Sequence, residues 1–292
     1  MKLSGVPPEE AAAARRAKPL AGLPKIAGTR IKRTFATLAQ WMAVVARPPR
    51  HALPRPPAIA GIVVVIGLAV VVASMFQFDT AASDWARRRP QWLLDAFEQI
   101  TNFGLAGWFL VPFGIVLIGL AAMVSPALSR PSQGTLAALA ARFGFLFLAI
   151  GAPGLFDTVV KRLIGRARPY VGGHDDPFSY VLFVWRPEYA AMPSGHATTA
   201  AAAAIAIGAI WPRARVAMWL YALVIMFSRV VILAHHPSDV IAGALVGAIG
   251  ALLVRRWFAA RGLVFSAISL HAYPWPSSPR VWAALREAMH GW

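Results

Sequence analysis

No cysteine occurs among the 292 residues, so disulfides and thiolate chemistry are excluded and the redox compartment is left undetermined. Acidic residues are also scarce, with 12 Asp and Glu against 29 Lys and Arg. Charged residues of both signs make up only 14% of the chain, whereas 58% is hydrophobic, far more apolar than an ordinary soluble domain. Also missing are the alternation of apolar and polar positions that marks a membrane barrel strand and any repeat of 20 to 50 residues. Continuous runs such as AIAGIVVVIGLAVVVASMF, residues 58–76, can satisfy their backbone groups in lipid only as helix.

Apolar windows of about 20 residues, enough to cross roughly 30 Å of hydrocarbon, recur six times, over 58–76, 105–125, 138–160, 194–212, 215–234 and 238–258. The fold class is therefore all-α, a polytopic membrane helical bundle of about six transmembrane helices with short interfacial helices. The first run starts too late and is too long for a cleaved signal peptide, and reads as a retained anchor. Three parts are expected: a basic cytoplasmic arm at 1–57, the transmembrane domain at 58–258, and a cytoplasmic tail at 259–292.

The net charge of +17 raises the possibility of a nucleic-acid partner, but its distribution points elsewhere. Eleven of the 29 Lys and Arg precede Pro56, the short turns carry Arg130 and Arg213, and the tail after Arg255 is basic. This positive-inside pattern predicts cytoplasmic termini and outer loops at 77–104, 161–193 and 235–237. The excess charge is expected to meet anionic lipid headgroups, not nucleic acid. Residues 1–33 lack period and suit a disordered arm, while 34–46 and the segment WARRRPQWLLDAFEQI, residues 85–100, each read as one helix lying along the interface. In the tail, Trp282, Leu285, Met289 and Trp292 fall at steps of three and four, a packing or lipid face.

Charged groups at membrane depth cost roughly 2.5–3.5 kcal/mol on insertion scales, so their clustering is informative. Lys161, Arg162, Arg166 and Arg168 close the third run, and Asp157 is placed to pair with Lys161 one turn on. Snorkelling cations would account for them, although a basic cluster outside opposes the positive-inside rule. MPSGHATT opens the fourth run with Ser194 as a helix N-cap, and the first amides, Ser194 to His196, equally form a phosphate seat. SRVVILAHHPSDVIAG, from Ser228, carries Arg229 inside an apolar run and ends on His235, His236 and Asp239. Pro237 and Asp239 suit a helix start, but Arg229 calls for an anion. Histidines with Asp239 can form a zinc set, yet Lys161, Arg168 and Arg229 would then crowd a dication. An anion removes that conflict: phosphoryl transfer is served by Arg, Lys and backbone amides, with histidine as nucleophile or acid and an aspartate fixing the tautomer.

The segments KRLIGRARP (from Lys161), PSGH (from Pro193) and SRVVILAHHPSD (from Ser228) together carry the pattern K-x6-R-P, P-S-G-H, S-R-x5-H-x3-D. The sequence therefore resembles the type 2 phosphatidic acid phosphatase superfamily, whose soluble relatives are vanadium haloperoxidases. That resemblance implies phosphate binding by Lys161, Arg168, Ser194, the Gly195 amide and Arg229. It implies His235 as the nucleophile forming a phosphohistidine, His196 as the general acid and Asp239 as the orienting partner, with no metal and no cofactor. Leu233 and Val231 stand where many members have Gly and an aromatic residue. His236 stands where many have Tyr, and reads as a pocket-wall or interface residue. Arg162, Arg166 and His174 have no motif counterpart.

The expectation is a lipid phosphate or diphosphate phosphatase of a bacterial inner membrane, acting at the outer face. Undecaprenyl diphosphate, phosphatidylglycerol phosphate, phosphatidic acid and lipid A all suit it, with loop 161–193 shaping specificity. The alternatives are transfer of the phosphoryl group to a lipid acceptor, or anionic-lipid binding without turnover. Oligomeric state is not legible.

Overall fold

The computed structural model describes residues 23–53, 56 and 58–290. Its helices are α1 (Leu23–Ala46), α2 (Ala58–Gln77), α3 (Asp79–Arg87), α4 (Gln91–Asn102), α5 (Gly107–Met123), α6 (Arg130–Ile164), α7 (Gly195–Ile210), α8 (Arg215–Val231), α9 (Pro237–Ala260) and α10 (Ser278–His290). Among the described residues no strand forms, and the polytopic helical class stands.

Among the described residues, five stretches are long and apolar enough to cross a membrane: Ile59–Gln77, Gln91–Met123, Arg130–Ile164, Pro212–Val231 and Pro237–Ala260. The fourth expected span, 194–212, is the shorter α7 of 16 residues, roughly 24 Å long. It is the buried axis of the bundle, packed by α6, α8 and α9, and its alanines from Ala200 to Ala204 are shielded throughout. Small residues make this possible. A Cβ added at Gly243 would lie 2.4 Å from the Ser194 carbonyl oxygen, and one at Gly247 2.2 Å from that of Thr198. Helix α9 therefore touches α7 backbone to backbone through a Gly-x3-Gly step.

Two expectations at the periphery are corrected. Helix starts at Leu23, so residues 23–33 are helical and not a structureless arm; residues 1–22 lie outside the described residues. Residues 85–100, expected as one interfacial helix, belong to two helices, α3 and α4, because Pro90 cannot continue α3 and instead opens α4 in extended conformation. In the tail, Ala284 and Ala288 are the buried face of α10, packed with Leu285 near Leu136 and Leu139 of α6. Trp282 and Met289 point outward, and Trp292 lies outside the described residues. Helices α1 and α10 thus pack at the end of the bundle where α6 begins, opposite the end where it stops.

Candidate active site

Helix α6 ends at Gly165 in the left-handed conformation, φ +61°, and a Cβ there would meet the Val181 carbonyl oxygen at 1.6 Å. Only glycine fits both the turn and the approach. The chain then folds over the end of the bundle, where Ala167 N–H donates to Ser179 O and Arg168 N–H to Glu188 O. Lys161 remains on the last turn of α6 with its ammonium 2.5 Å from Asp157 Oδ2, the pairing expected from spacing. Thr198 of α7 donates to the other oxygen of Asp157 at 3.2 Å.

Beside that pair, α7 begins. Ser194 is its N-cap residue but makes no side-chain cap bond, and its fully buried hydroxyl has no partner. The Ser194 amide is already bonded to the Asp239 carbonyl oxygen at 3.0 Å. The expected seat of three amides therefore shrinks to Gly195 and His196, which as first-turn residues have no intrahelical acceptor. A Cβ on Gly195 would approach Lys161 Nζ to 3.0 Å, so the ammonium lies against the helix start.

Helix α8 supplies Arg229, 6% exposed, with Nη1 donating to Thr101 Oγ1 of α4 at 2.7 Å and Nε without a partner. Among the described residues Arg229 forms no ion pair. Arg168 also has an orphaned Nε, and burial, together with the neighbouring charge of Arg162, pulls its pKa below the usual arginine value against the pull of Asp239 and Glu188. Arg162, stacked 5.7 Å from the Trp185 ring centroid, has two unpartnered nitrogens. Lys161, Arg168 and Arg229 all lie close enough to His196 to act on its charge. Mutually repelling cations with unsatisfied donors make a site that an anion would complete.

The loop from α8 to α9 carries the histidines. The Arg229 carbonyl accepts from the amides of both Ala234 and His235, and this tight return forces Leu233 to φ +56°. His235 is buried, its Nδ1 is 3.8 Å from Asp239 Oδ2, and that nitrogen has no hydrogen bond. Burial pushes its pKa down to about 4 against the pull of Asp239, leaving a neutral imidazole near neutral pH. His236 is fully buried rather than a pocket-wall or interface residue. It sits at the N-cap of α9, where its amide donates to Asp239 Oδ2 at 2.9 Å and its Nε2 lies 3.0 Å from Asp175. Burial lowers its pKa, but Asp175 and Asp239 outweigh that and raise it to about 9.

A cavity of about 400 Å³ reaches this cluster between α5 and α6, with Lys161 and His196 at one side and Gly104, Leu105, Leu110 and Leu155 at the other. A larger cavity, about 1150 Å³, lies at the opposite end beside Arg142, away from the histidines.

A family model described as PAP2 superfamily matches residues 142–263. The chain is 31% identical over 245 residues to a lipid A 1-phosphatase of Rhizobium johnstonii, covering 83% of this chain and 98% of that protein. The chain belongs to the PAP2 superfamily. A lipid A 1-phosphatase of Rhizobium etli is 32% identical over 223 residues, covering 76% of this PAP2 chain and 94% of its relative. The crystal structure of a transmembrane PAP2-type phosphatidylglycerolphosphate phosphatase from Bacillus subtilis is similar at 19% identity with a TM-score of 0.40, over 76% of this chain and 94% of that one.

Some residues of this PAP2 site have no counterpart in the motif pattern. Arg166 is fully buried and donates to Asp239 Oδ1 at 2.5 Å, Ser238 Oγ at 2.6 Å, Asp79 Oδ2 at 2.7 Å and Pro177 O at 2.9 Å. Asp79, also fully buried, comes from the start of α3, and Asp175 from the loop after α6. A sequence signal for Asp79 exists in that it is an acid directly at the end of an apolar run. His174, in contrast, is exposed.

Proposed function

We propose that this protein is a membrane lipid phosphatase that removes the 1-phosphate of lipid A through a phosphohistidine on His235. The observation that carries the chemistry is the neutral, buried His235 facing orphaned cationic donors on Arg168 and Arg229. The substrate rests on the two relatives, both lipid A 1-phosphatases, and the apolar cavity beside Lys161 and His196 suits a substrate whose acyl chains stay in the bilayer.

In this reading Lys161, Arg168, Arg229, the Ser194 hydroxyl and the Gly195 amide hold the three non-bridging oxygens and stabilise the charge that develops on them. Asp239 faces Nδ1 of His235, so Nε2 attacks phosphorus. The phosphate dianion neutralises the cations around His196 and lets it take up a proton, and the bond from phosphorus to the glycosidic oxygen breaks as His196 delivers that proton to the oxygen. Water then adds to phosphorus with His196 taking its proton, the phosphorus–nitrogen bond breaks, and free phosphate leaves. No metal is needed, because the cations already supply the charge. The site faces the outer side of the inner membrane, with the termini and the basic arm in the cytoplasm, following the distribution of Lys and Arg.

The test is release of inorganic phosphate by detergent-purified protein from lipid A, phosphatidic acid, phosphatidylglycerol phosphate and undecaprenyl diphosphate, with and without EDTA. Lipid A is expected to be the preferred substrate and EDTA to have no effect. Loss of activity in EDTA would overturn the metal-free mechanism, and preference for another lipid would overturn the substrate. Recovery of phosphate on a lipid acceptor instead of in solution would make the enzyme a phosphotransferase.

A further inference from the structure

Among the described residues no fully buried side chain is larger than Arg166. Its guanidinium is shared between two carboxylates from distant parts of the chain, Asp239 through Nη1 and Asp79 through Nη2. Left with a single carboxylate, an arginine fork engages both of its oxygens. Here Asp79 occupies the second arm, so Arg166 touches only Oδ1 of Asp239. Oδ2 is left for the His236 amide and for the approach to His235 Nδ1.

Asp79 is itself tied down. Its Oδ1 accepts from the Ser238 amide at 3.0 Å and from Ser74 Oγ at 3.3 Å, and its Oδ2 from Ser238 Oγ at 2.5 Å. Ser238 immediately precedes Asp239, so the same carboxylate fixes the backbone beside the orienting acid and the cation that aims it. Burying a carboxylate–arginine–carboxylate set is costly, and a hydrophobic packing of similar volume would serve stability as well. The arrangement makes sense as positioning.

We propose that Asp79 and Arg166 are positioning residues for phosphoryl transfer: Asp79 holds Arg166 so that it grips one oxygen of Asp239 and leaves the other aimed at His235. This rests on the assignment of His235 as nucleophile under Proposed function. Neither residue touches the phosphate, so both act on turnover and not on substrate binding.

The experiment compares kcat, KM and the pH dependence of kcat for the full chain and for Asp79→Asn, Arg166→Lys, Arg166→Gln and the Asp79→Asn/Arg166→Gln double variant, with lipid A as substrate. Asp79→Asn keeps the size of the side chain and lets Arg166 close on both oxygens of Asp239. Its kcat is expected to fall about tenfold or more, with KM held within about twofold. The groups facing His235 are Asp239, Arg229, Arg168 and His196, and none of them is changed. With the Asp239 charge more fully neutralised, the acid limb of the kcat profile moves to lower pH. Arg166→Gln moves it to higher pH, because Asp239 then faces His235 uncompensated. The double variant is expected to be no slower than Arg166→Gln alone, since Asp79 acts through Arg166.

A folded Asp79→Asn with unchanged kcat, or losses that multiply in the double variant, would overturn the proposal. If Asp79→Asn does not fold, Arg166→Lys decides: its charge is kept but the compact ammonium lacks the planar fork that holds Asp79 and Asp239 on separate arms, so kcat falls alike, and an unchanged kcat overturns the proposal. His235→Ala separates the two layers. Phosphate release persisting in His235→Ala condemns the nucleophile assignment, whereas a silent His235→Ala beside an unaffected Asp79→Asn condemns the positioning role alone.

Discussion

Asp239 Oδ2 stands 3.8 Å from Nδ1 of His235 and 3.6 Å from Nδ1 of His236, so one carboxylate oxygen serves adjacent histidines with opposite environments. His235 has its Nδ1 unpartnered and its pKa pushed down to about 4. His236 is bonded to Asp175 and its pKa is raised to about 9. A nucleophile must offer a lone pair, which His235 has and a cationic His236 lacks. The 3.8 Å gap exceeds a hydrogen bond, and closing it on substrate binding is ordinary for catalytic pairs. His235→Ala is therefore expected to lower phosphate release by about 10³-fold or more. His236→Ala is expected to retain measurable turnover and lose about 1–3 kcal/mol of stability, the cost of a broken buried bond. Assays of both purified variants check this, and the reverse pattern would place the nucleophile one residue on.

Local spacing carried much of this site. Lys161 and Asp157 are one helical turn apart, and Ser194 to His196 open a helix, so their neighbourhood is written within a few residues. The polar partners that aim Asp239 are not local. Asp79 precedes Ser238 by 159 positions, and no periodicity links an acid at the end of one span to the start of another. Arg166, without a motif counterpart, has no legible partner in the sequence for the same reason. His236 reads as peripheral because histidine is at home at a water boundary, and only the fold over of loop 165–193 brings Asp175 to it and seals it. Six apolar windows were legible, but the shortness of α7 was not. Alanine and isoleucine read alike in lipid and in a core, and what distinguishes α7 is the Gly243 and Gly247 faces of α9 pressed against it.

Gly195 separates a packing role from a chemical one. An added Cβ meets two side-chain atoms, the flexible end of Lys161 at 3.0 Å and Asp157 Oδ2 at 3.2 Å. Gly195→Ala should therefore fold, because the ammonium can swing aside, while the phosphate seat loses both its shape and the placement of Lys161. The expected result is a melting temperature close to that of the parent with kcat/KM lowered about 10- to 100-fold. Gly247→Ala is the contrast. Its Cβ would strike the Thr198 carbonyl at 2.2 Å, and separation of the helices should cost about 1–3 kcal/mol.

Leu233 holds φ +56° in the turn that delivers His235, a conformation that costs a non-glycine residue about 1–2 kcal/mol. Leu233→Gly relieves that strain and loses half-buried apolar contact and chain stiffness, opposing effects of about 1 kcal/mol each. Its stability is expected to stay within about 1 kcal/mol of the parent, whereas Leu233→Val, β-branched and poorly suited to positive φ, should be clearly less stable. Thermal unfolding in detergent ranks the three. A glycine variant markedly less stable than the valine one would mean that side-chain packing, not backbone geometry, governs the turn.

The His236–Asp175 pair predicts a pH window. In the unfolded chain histidine titrates near about 6.5, and in the folded protein His236 is raised to about 9. Asp175 is pulled below its usual value because the His236 bond and charge outweigh its burial. Between about 6.5 and 9 the folded state holds a proton that the unfolded state has lost, so stability is full below that window and declines as pH rises through it. The Asp175 contribution is lost only as pH falls below the usual carboxylate range, outside the window. Melting temperature should accordingly drop between about pH 6.5 and 9, by an amount on the order of 1–3 kcal/mol in stability. In Asp175→Asn, which takes away the main group raising the His236 pKa, the drop should be smaller and the starting stability lower. A parent profile that is flat across this range, or an equal slope in Asp175→Asn, would show that His236 is neutral in the folded protein and that Asp175 holds it by an uncharged hydrogen bond.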